Sequence, residues 1–578
     1  MRRFSHLLSA LICLLWMSSR MQAIEAERIL FNGKLVTVDP RFSIQSAIAI
    51  SGEKILSVGS DSEILKRKGP KTQLVNLKGR MVLPGLIDSH AHAAHACMTE
   101  FEHTIPDMET IQDVLKYVQV RARKAKPGEW IELRQIFITR LKEQRYPTRA
   151  ELDRVAPRNP VLFATGPDAS LSTLALKLSG IDKDFRVTDS GTGFAEKDSN
   201  GEPTGILRNC TRYVKVSSTT QHPSLDQKTK RLRELFADYN SVGITAICER
   251  DASPEDIELY QSVRQKNPTV RVSLSHHIDS IGDLDQVLGS IRAVASHPLF
   301  ITGDDWLRIV GIKTYLDGGM LTGSAYMRQP WGVSEIYSIR DPEYRGVRFI
   351  PQDRLVQMVR AALQAGLQFT AHSVGDGAVH ALLDAYEEVG RSTPIRSSRA
   401  CISHSNFMSR EAVEQAARLG VILDIQPAWL YLDAHTLLKQ FGNERLRYFQ
   451  PLGSIFEAGA IAGGGSDHMQ KIGSFRSINP YNPFLGMATA ITRKARNAKA
   501  PLHPEEKLTR EQAIRFYTMN NALLLGRDKQ MGSLEAGKLA DFIVLQDDLL
   551  TCPEKRIAET RVLQTWIAGR LVHGRPLQ

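Results

Sequence analysis

Cysteine is scarce, with six residues in 578. Cys13, Cys97, Cys210, Cys248, Cys401 and Cys552 are scattered and contain no Cys-x-x-Cys pair. Such a set argues against a disulfide framework and against a thiolate zinc site. No run of five or more basic residues appears, so the formal net charge of +11 is a diffuse excess and not a nucleic-acid footprint. Long apolar runs are lacking too. The run from Leu7 to Met17 is too short to span a bilayer comfortably, and no later stretch reaches that length without charges. It follows Arg2 and Arg3 and precedes small and polar residues ending near Ala23 or Ala26. This pattern predicts a secretory signal peptide over residues 1–23 and an exported protein, periplasmic or extracellular, with no stable membrane span after leader cleavage. An uncleaved anchor is the alternative. Internal repeats and low-complexity segments are also missing. With 42% apolar and 24% charged residues, the chain can bury a large core without a metal or a disulfide to hold it.

What the chain does have is alternation of short apolar runs with helical patterns. The runs are Met81–Ile87, Ile244–Cys248, Val272–Ser275, Ile309–Thr314, Gln368–Ala371, Ala400–Ser403, Val421–Ile425 and Ala460–Gly463. Helical stretches such as Arg354–Ala365 and Arg410–Leu419 lie between them. Eight such units predict an α/β fold, a (β/α)8 TIM barrel. Both chain ends read as short strands with turn signals: Ile29–Val36 around Asn32-Gly33, Ala47–Ser51, Ile55–Val58, Gly532–Leu534, Asp541–Leu545, Val562–Ile567 and Leu571–Val572. They predict one small β-sandwich built from both ends. The expected organisation is residues 24–80 for its first part, 81–510 for the barrel, and 511–578 for a terminal helix and the rest of the sandwich. The gap after barrel strand 1 is too long for one crossover, so about 99–230 is expected to be an inserted subdomain.

The segment Pro84-Gly85-Leu86-Ile87-Asp88-Ser89-His90-Ala91-His92 ends an apolar strand in alternating Asp-x-His-x-His. Period-two alternation places Asp88, His90 and His92 on one face. Two imidazoles there can grip a metal ion, and Asp88 can orient an imidazole or touch the metal. Lys313, His372, His404 and Asp467 stand at the ends of strands 4, 5, 6 and 8. The C-terminal mouth of a barrel is where active sites sit. His276 and His277 end strand 3, where one can face a pocket while the other points away; His276 is taken as the substrate-side residue. His468, next to Asp467, is expected to point away. The loop Gly318–Gly332 follows strand 4, and its Tyr326 and Trp331 offer apolar area to a substrate.

This combination resembles the amidohydrolase superfamily, most closely its branch with N-substituted formamide deformylases. The resemblance runs over nearly the whole mature chain. It includes Asn32-Gly33-Lys34, Pro84–His92, Lys313 with Asp317-Gly318, His372 with Gly375-Asp376, His404, and Ser466-Asp467. It closes with Gly532-Ser533-Leu534-Glu535-Ala536-Gly537-Lys538-Leu539-Ala540-Asp541-Phe542. It implies that His90, His92 and Asp467 bind one metal ion and that His372 and His404 bind a second. Lys313 would bridge the two as a CO2-derived carbamate, or stay an unmodified lysine in a one-metal site. Zinc suits imidazole and carboxylate ligands, with iron, manganese, nickel and cobalt as alternatives. The implied reaction is hydrolysis of a non-peptide C–N bond, amide or formamide, in a small molecule, with Asp467 as proton carrier. Hydrolysis of a cyclic amide, a dipeptide or an ester on the same scaffold is the alternative; so is a non-catalytic exported binding protein. A homo-oligomer is left open. One departure stands out. Within Ala164–Ser170, Pro167 occupies about the place where relatives carry the His of an Asp-Gly-His element.

Overall fold

A computed structural model describes residues 25–134, 136–217 and 223–576. The expected leader, residues 1–23, lies outside them. No helix among the described residues is long and apolar enough to cross a membrane.

Eight parallel strands run in sequential order around the centre of the molecule. Barrel strands 1 to 8 are Leu86–Ala91, Ile244–Ala252, Arg271–His277, Leu307–Tyr315, Gln368–Ser373, Cys401–His404, Ile422–Ile425 and Ile461–Gly464. Helices cover them outside. Arg410–Leu419 shows how the sequence sets such a helix. Ser409 caps its start by accepting from the Ala412 amide, Gly420 ends it with φ of 73°, and Ala412, Val413 and Ala416 are buried.

The seam between strands 8 and 1 is closed by other means than a long ladder. Asn521, on a short helix beneath the barrel, donates through Nδ2 to the carbonyls of Ile87 (2.5 Å) and Gly464 (2.7 Å). At the top, the Asp467 amide donates to His90 O and the His92 amide to His468 O. The barrel interior is layered. Ile87, Ala246, Cys248, Cys401 and Ile422 fill the bottom together with Ala522, Leu524, Leu525 and Met531. Above them lies buried Arg250, which donates to Ser89 O, Ser275 Oγ and Gln368 Oε1 and stands 3.4 Å from Asp424.

The two chain ends form the sandwich. Lys54–Gly59, Ala47–Ser51, Ala26–Phe31 and Lys68–Asn76 make one sheet. Arg570–Gly574, Val562–Ile567, Phe542–Leu545, Met81–Pro84, Lys34–Val36 and Ile44–Gln45 make the other. Leu30, Ile48, Ile50, Val82, Phe542, Val544 and Trp566 pack between them. Two strand expectations need correction. Met81–Ile87 is not one strand: Met81–Pro84 pairs with Phe542–Leu545 in the sandwich, and barrel strand 1 begins at Leu86. Gly85 is the junction, and a Cβ there would lie 2.1 Å from Thr245 Oγ1. Gly532–Leu534 is a bend and no strand.

Between strand 1 and strand 2 lies a five-stranded mixed sheet. Its order is Phe194–Lys197, Pro203–Arg208, Ala169–Leu171, Val161–Ala164 and Ile131–Arg134. Its loops reach over the C-terminal mouth of the barrel, which is what matters for the site.

Candidate active site

His90 and His92 leave strand 1 and converge on Asp467, which follows strand 8. Asp467 Oδ1 lies 3.6 Å from His90 Nε2 and 3.3 Å from His92 Nε2. One donor atom from each of the three falls within 4.8 Å of the others, the spacing of groups around a single cation. His90 Nε2 is buried and has no hydrogen-bond partner. A buried polar atom left unpaired costs about 1–3 kcal/mol, so this nitrogen fits a ligand role. The donor set of imidazoles and a carboxylate fits a divalent ion of the zinc type.

Asp88 does not share that face. It accepts the Ser466 amide and hydroxyl and the His90 amide, and so pins strand 1 to the segment after strand 8. The pairing of strand 1 with strand 2 shifts register between Asp88 and Ala91, so strict alternation fails at the strand end. His468 points away as expected: its ring nitrogens meet Tyr239 Oη and the Lys471 carbonyl, each at 2.7 Å.

The histidines of strands 5 and 6 complete a contiguous set. The ring centroids of His90 and His404 are 4.7 Å apart, and those of His404 and His372 are 4.5 Å apart. Trp429, after strand 7, stacks on His404 at 4.8 Å with 14° between the planes. Lys313 is buried, with Nζ 5.1 Å from the Tyr315 ring centre, and Tyr315 lies 5.4 Å from His372. His404 and Asp467 both have positive φ, 79° and 55°. Strain of that kind costs on the order of 1–3 kcal/mol for a non-glycine residue and clusters at functional sites.

A layer of partners fixes these groups. His90 Nδ1 meets Asp424 at 2.8 Å, His92 Nδ1 meets Glu249 at 3.1 Å, and His404 Nδ1 meets Gln426 at 2.8 Å. Ser89 donates to Asp424, and Tyr260 donates to Glu249. Metal-binding imidazoles characteristically use their second nitrogen this way. Burial and the neighbouring Lys313 charge hold His90 well below the ordinary imidazole value and push His372 down to about 3. Burial likewise keeps His404 neutral and lowers the Lys313 amine. His92 goes the other way. Burial opposes its charge, but the carboxylates of Asp467 and Glu249 on either side outweigh it and raise it to about 10.

His92, Lys313, His372, His404 and Asp467 open into a cavity of about 720 Å³. Phe137, Met320, Leu321, Phe349, Trp429 and Met469 supply apolar wall. The inserted sheet contributes Thr165–Pro167, Thr192 and Asn209, so Pro167 does face this space. The three residues expected on the substrate side do not line it. His276 turns away, its Nδ1 against the His277 carbonyl at 2.8 Å, and His277 lines the cavity with Asp251 at 2.8 Å behind it. Trp331 is buried between its loop and the helix after strand 7, donating to Ala325 O and packing on Tyr337 and Phe441. Tyr326 sits behind the wall, where its carbonyl accepts the Gly377 amide. Gly375 is required there, because a Cβ would lie 2.0 Å from Tyr326 O. Asp317 completes that clamp by accepting the amides of Tyr326, Val374 and Gly375. Trp331 belongs to a core shared by the loop, the insertion and the helix after strand 7, while Tyr326 packs against the barrel core.

The family profile described as "Amidohydrolase family" matches residues 73–573. The chain is 28% identical over 567 residues to the N-substituted formamide deformylase of Arthrobacter pascens, covering 95% of this chain and 98% of that protein. An uncharacterized metal-dependent hydrolase from Pyrococcus furiosus has a similar structure, with TM-score 0.64 and 21% identity over 91% of this chain and all of the other. The zinc-complexed atrazine chlorohydrolase TrzN from Arthrobacter aurescens TC1 also shares the fold, with TM-score 0.52 and 15% identity over 95% of this chain and 96% of that one.

Proposed function

The chain belongs to the amidohydrolase family, and from that premise we propose that it is a metal-dependent hydrolase of a non-peptide C–N bond in a small-molecule amide. The observation that carries this reading is the convergence of His90, His92 and Asp467 around the unpartnered His90 Nε2 at the barrel mouth. His90, His92 and Asp467 would hold one divalent ion, and His372 and His404 a second. A bound divalent ion lowers the pKa of water and polarises a carbonyl. Lys313 is suited to bridge the pair. Burial favours its neutral amine, which can add to CO2 with loss of one N–H proton and become an anionic carbamate.

The chain's own groups then do the following. Asp467 accepts a proton from the attacking water and returns it to the leaving nitrogen, so the amide and water become an acid and an amine. Asp424 and Glu249 keep the imidazoles of His90 and His92 oriented. Trp429 and Phe137 exclude bulk water from one side of the cavity. An N-substituted formamide is the first substrate class to test, given the relative from Arthrobacter pascens. Pro167 stands in the cavity wall, where the resemblance implies a histidine in related enzymes, and this favours a substrate whose distal part differs from theirs. Export through the N-terminal segment belongs to the same proposal.

Elemental mass spectrometry on protein purified without chelator and with bicarbonate tests this reading, alongside a panel of N-formyl and N-acyl amines. About two divalent ions per chain and amide turnover are expected. One ion with turnover would remove the Lys313 bridge. No ion and no uptake on adding zinc would overturn the hydrolase reading in favour of a binding protein.

A further inference from the structure

A second cavity, of about 470 Å³, lies between the inserted sheet and the loop after barrel strand 4. Its volume is in the range of small-molecule sites. Phe185, Val187, Phe194, Ala195 and Ile339 give it apolar surface. Phe194, at 43% exposure, is a large apolar side chain left open to solvent at its edge. The charged groups are unequal. Arg186, Lys197, Arg208 and Arg340 face Glu196 and Asp341. Glu196 is already committed, 2.6 Å from Arg208. Arg186 and Lys197 donate only to the backbone carbonyls of Phe185 and Lys183, and among the described residues neither they nor Arg340 form an ion pair.

The cavity is built and does not come from loose surface loops. Arg208 is 1% exposed and joins the walls: it contacts Asp168 and Glu196 in the insertion and donates to the carbonyls of Thr322 and Tyr337 in the loop. Gly193 and Phe194 face this cavity, while the adjacent Gly191, Thr192 and Asn209 face the catalytic one. A single thickness of chain separates the two spaces.

We propose that this second cavity is a binding site for a small anionic ligand with an apolar body, an arene or alkyl carboxylate, held by stacking on Phe194 and Phe185 and by the guanidinium groups of Arg186 and Arg340. Asp341 offsets only one of the three unpaired cations, so an apolar wall with a net positive rim complements such a molecule in both shape and charge. The proposal is independent of the reaction assigned to the catalytic cavity.

The test uses the full chain and 2-naphthoate as probe, with binding measured by titration calorimetry. Saturable binding is expected, weakened at least tenfold by Arg340→Glu and by Phe194→Asp. These side chains are exposed, so folding is spared, and amide turnover without probe should match the unsubstituted chain. Trp429→Ala, in the catalytic wall, should leave probe affinity unchanged, and 2-naphthylmethylamine should bind at least tenfold more weakly. No binding at millimolar probe would overturn the proposal. So would affinity unchanged by both rim substitutions, affinity lost in Trp429→Ala, or equal binding of the amine.

Discussion

His90 Nδ1 lies 2.8 Å from Asp424 Oδ2, and neither side chain is exposed to solvent. The carboxylate is held from three further sides. Ser89 donates to it at 2.6 Å, Gln426 Nε2 at 3.1 Å, and the Arg250 guanidinium stands 3.4 Å away. An acceptor so fixed keeps the proton on Nδ1 and leaves His90 Nε2 bare toward Asp467. Asp424→Asn keeps the shape but weakens the acceptor and removes the negative charge. Metal affinity should fall about 10–100-fold, as for other partners of metal-bound histidines. Competition with a chromogenic chelator measures it, and unchanged affinity would make Asp424 only a counter-charge for Arg250.

Asp467 contacts both histidines but has a second task in the proposed reaction. Asp467→Asn retains an oxygen donor and loses the basic one. We expect metal content within the range of the unsubstituted chain and kcat lower by roughly 10²–10⁴, the usual contribution of a positioned proton carrier. Steady-state kinetics beside elemental analysis of the same sample separates the two effects. Loss of metal together with activity would show a ligand role alone.

His92 sets a pH dependence for metal uptake. With its imidazole raised to about 10 by Asp467 and Glu249, against burial, the metal-free site holds a proton throughout the neutral range. A metal ligand must be the neutral imidazole. Binding therefore expels that proton, and the cost falls as pH rises toward 10. Apparent affinity should increase about tenfold per pH unit between roughly pH 7 and 9. Calorimetry in CO2-free buffers of different ionisation enthalpy, where Lys313 forms no carbamate, should show about one proton released. His372, held near 3 by burial and Lys313, is already neutral and adds none.

The barrel was legible because its runs are short, apolar and separated by helical patterns, and because its chemistry-bearing residues stand at their ends. Two kinds of information were hidden. Met81–Ile87 reads as one strand, since nothing in an apolar run announces that Gly85 is where it changes sheets. The partner carboxylates did carry signals. Glu249 and Asp251 extend strand 2 in the alternation noticed for strand 1, and both line the cavity. Asp424 interrupts the apolar Val421–Ile425, where a charge needs a buried partner. His276, Tyr326 and Trp331 stand at a strand end or in a loop at the barrel mouth, but position and residue type do not fix which way a side chain turns. Whether an aromatic in a long loop faces a substrate or a core depends on packing that local sequence does not encode.

Arg208 is the stability test of the insertion. Its guanidinium is buried and ties Asp168 and Glu196 to the carbonyls of Thr322 and Tyr337, and Thr322 is part of the catalytic wall. Arg208→Met fills similar volume but leaves Asp168 and Glu196 without their cation. Removing one partner of a buried ion pair costs about 3–5 kcal/mol. The loss should be local before it is global, because the barrel strands do not touch this group. Hydrogen exchange should quicken in Gly318–Phe349 and in the sheet Ile131–Arg208, with strands 5 to 8 keeping their protection. The proposed metal ligands lie on the barrel strands or within three residues of their ends, so metal content should hold while KM rises. Uniformly faster exchange would mean that the insertion and the barrel unfold as one unit.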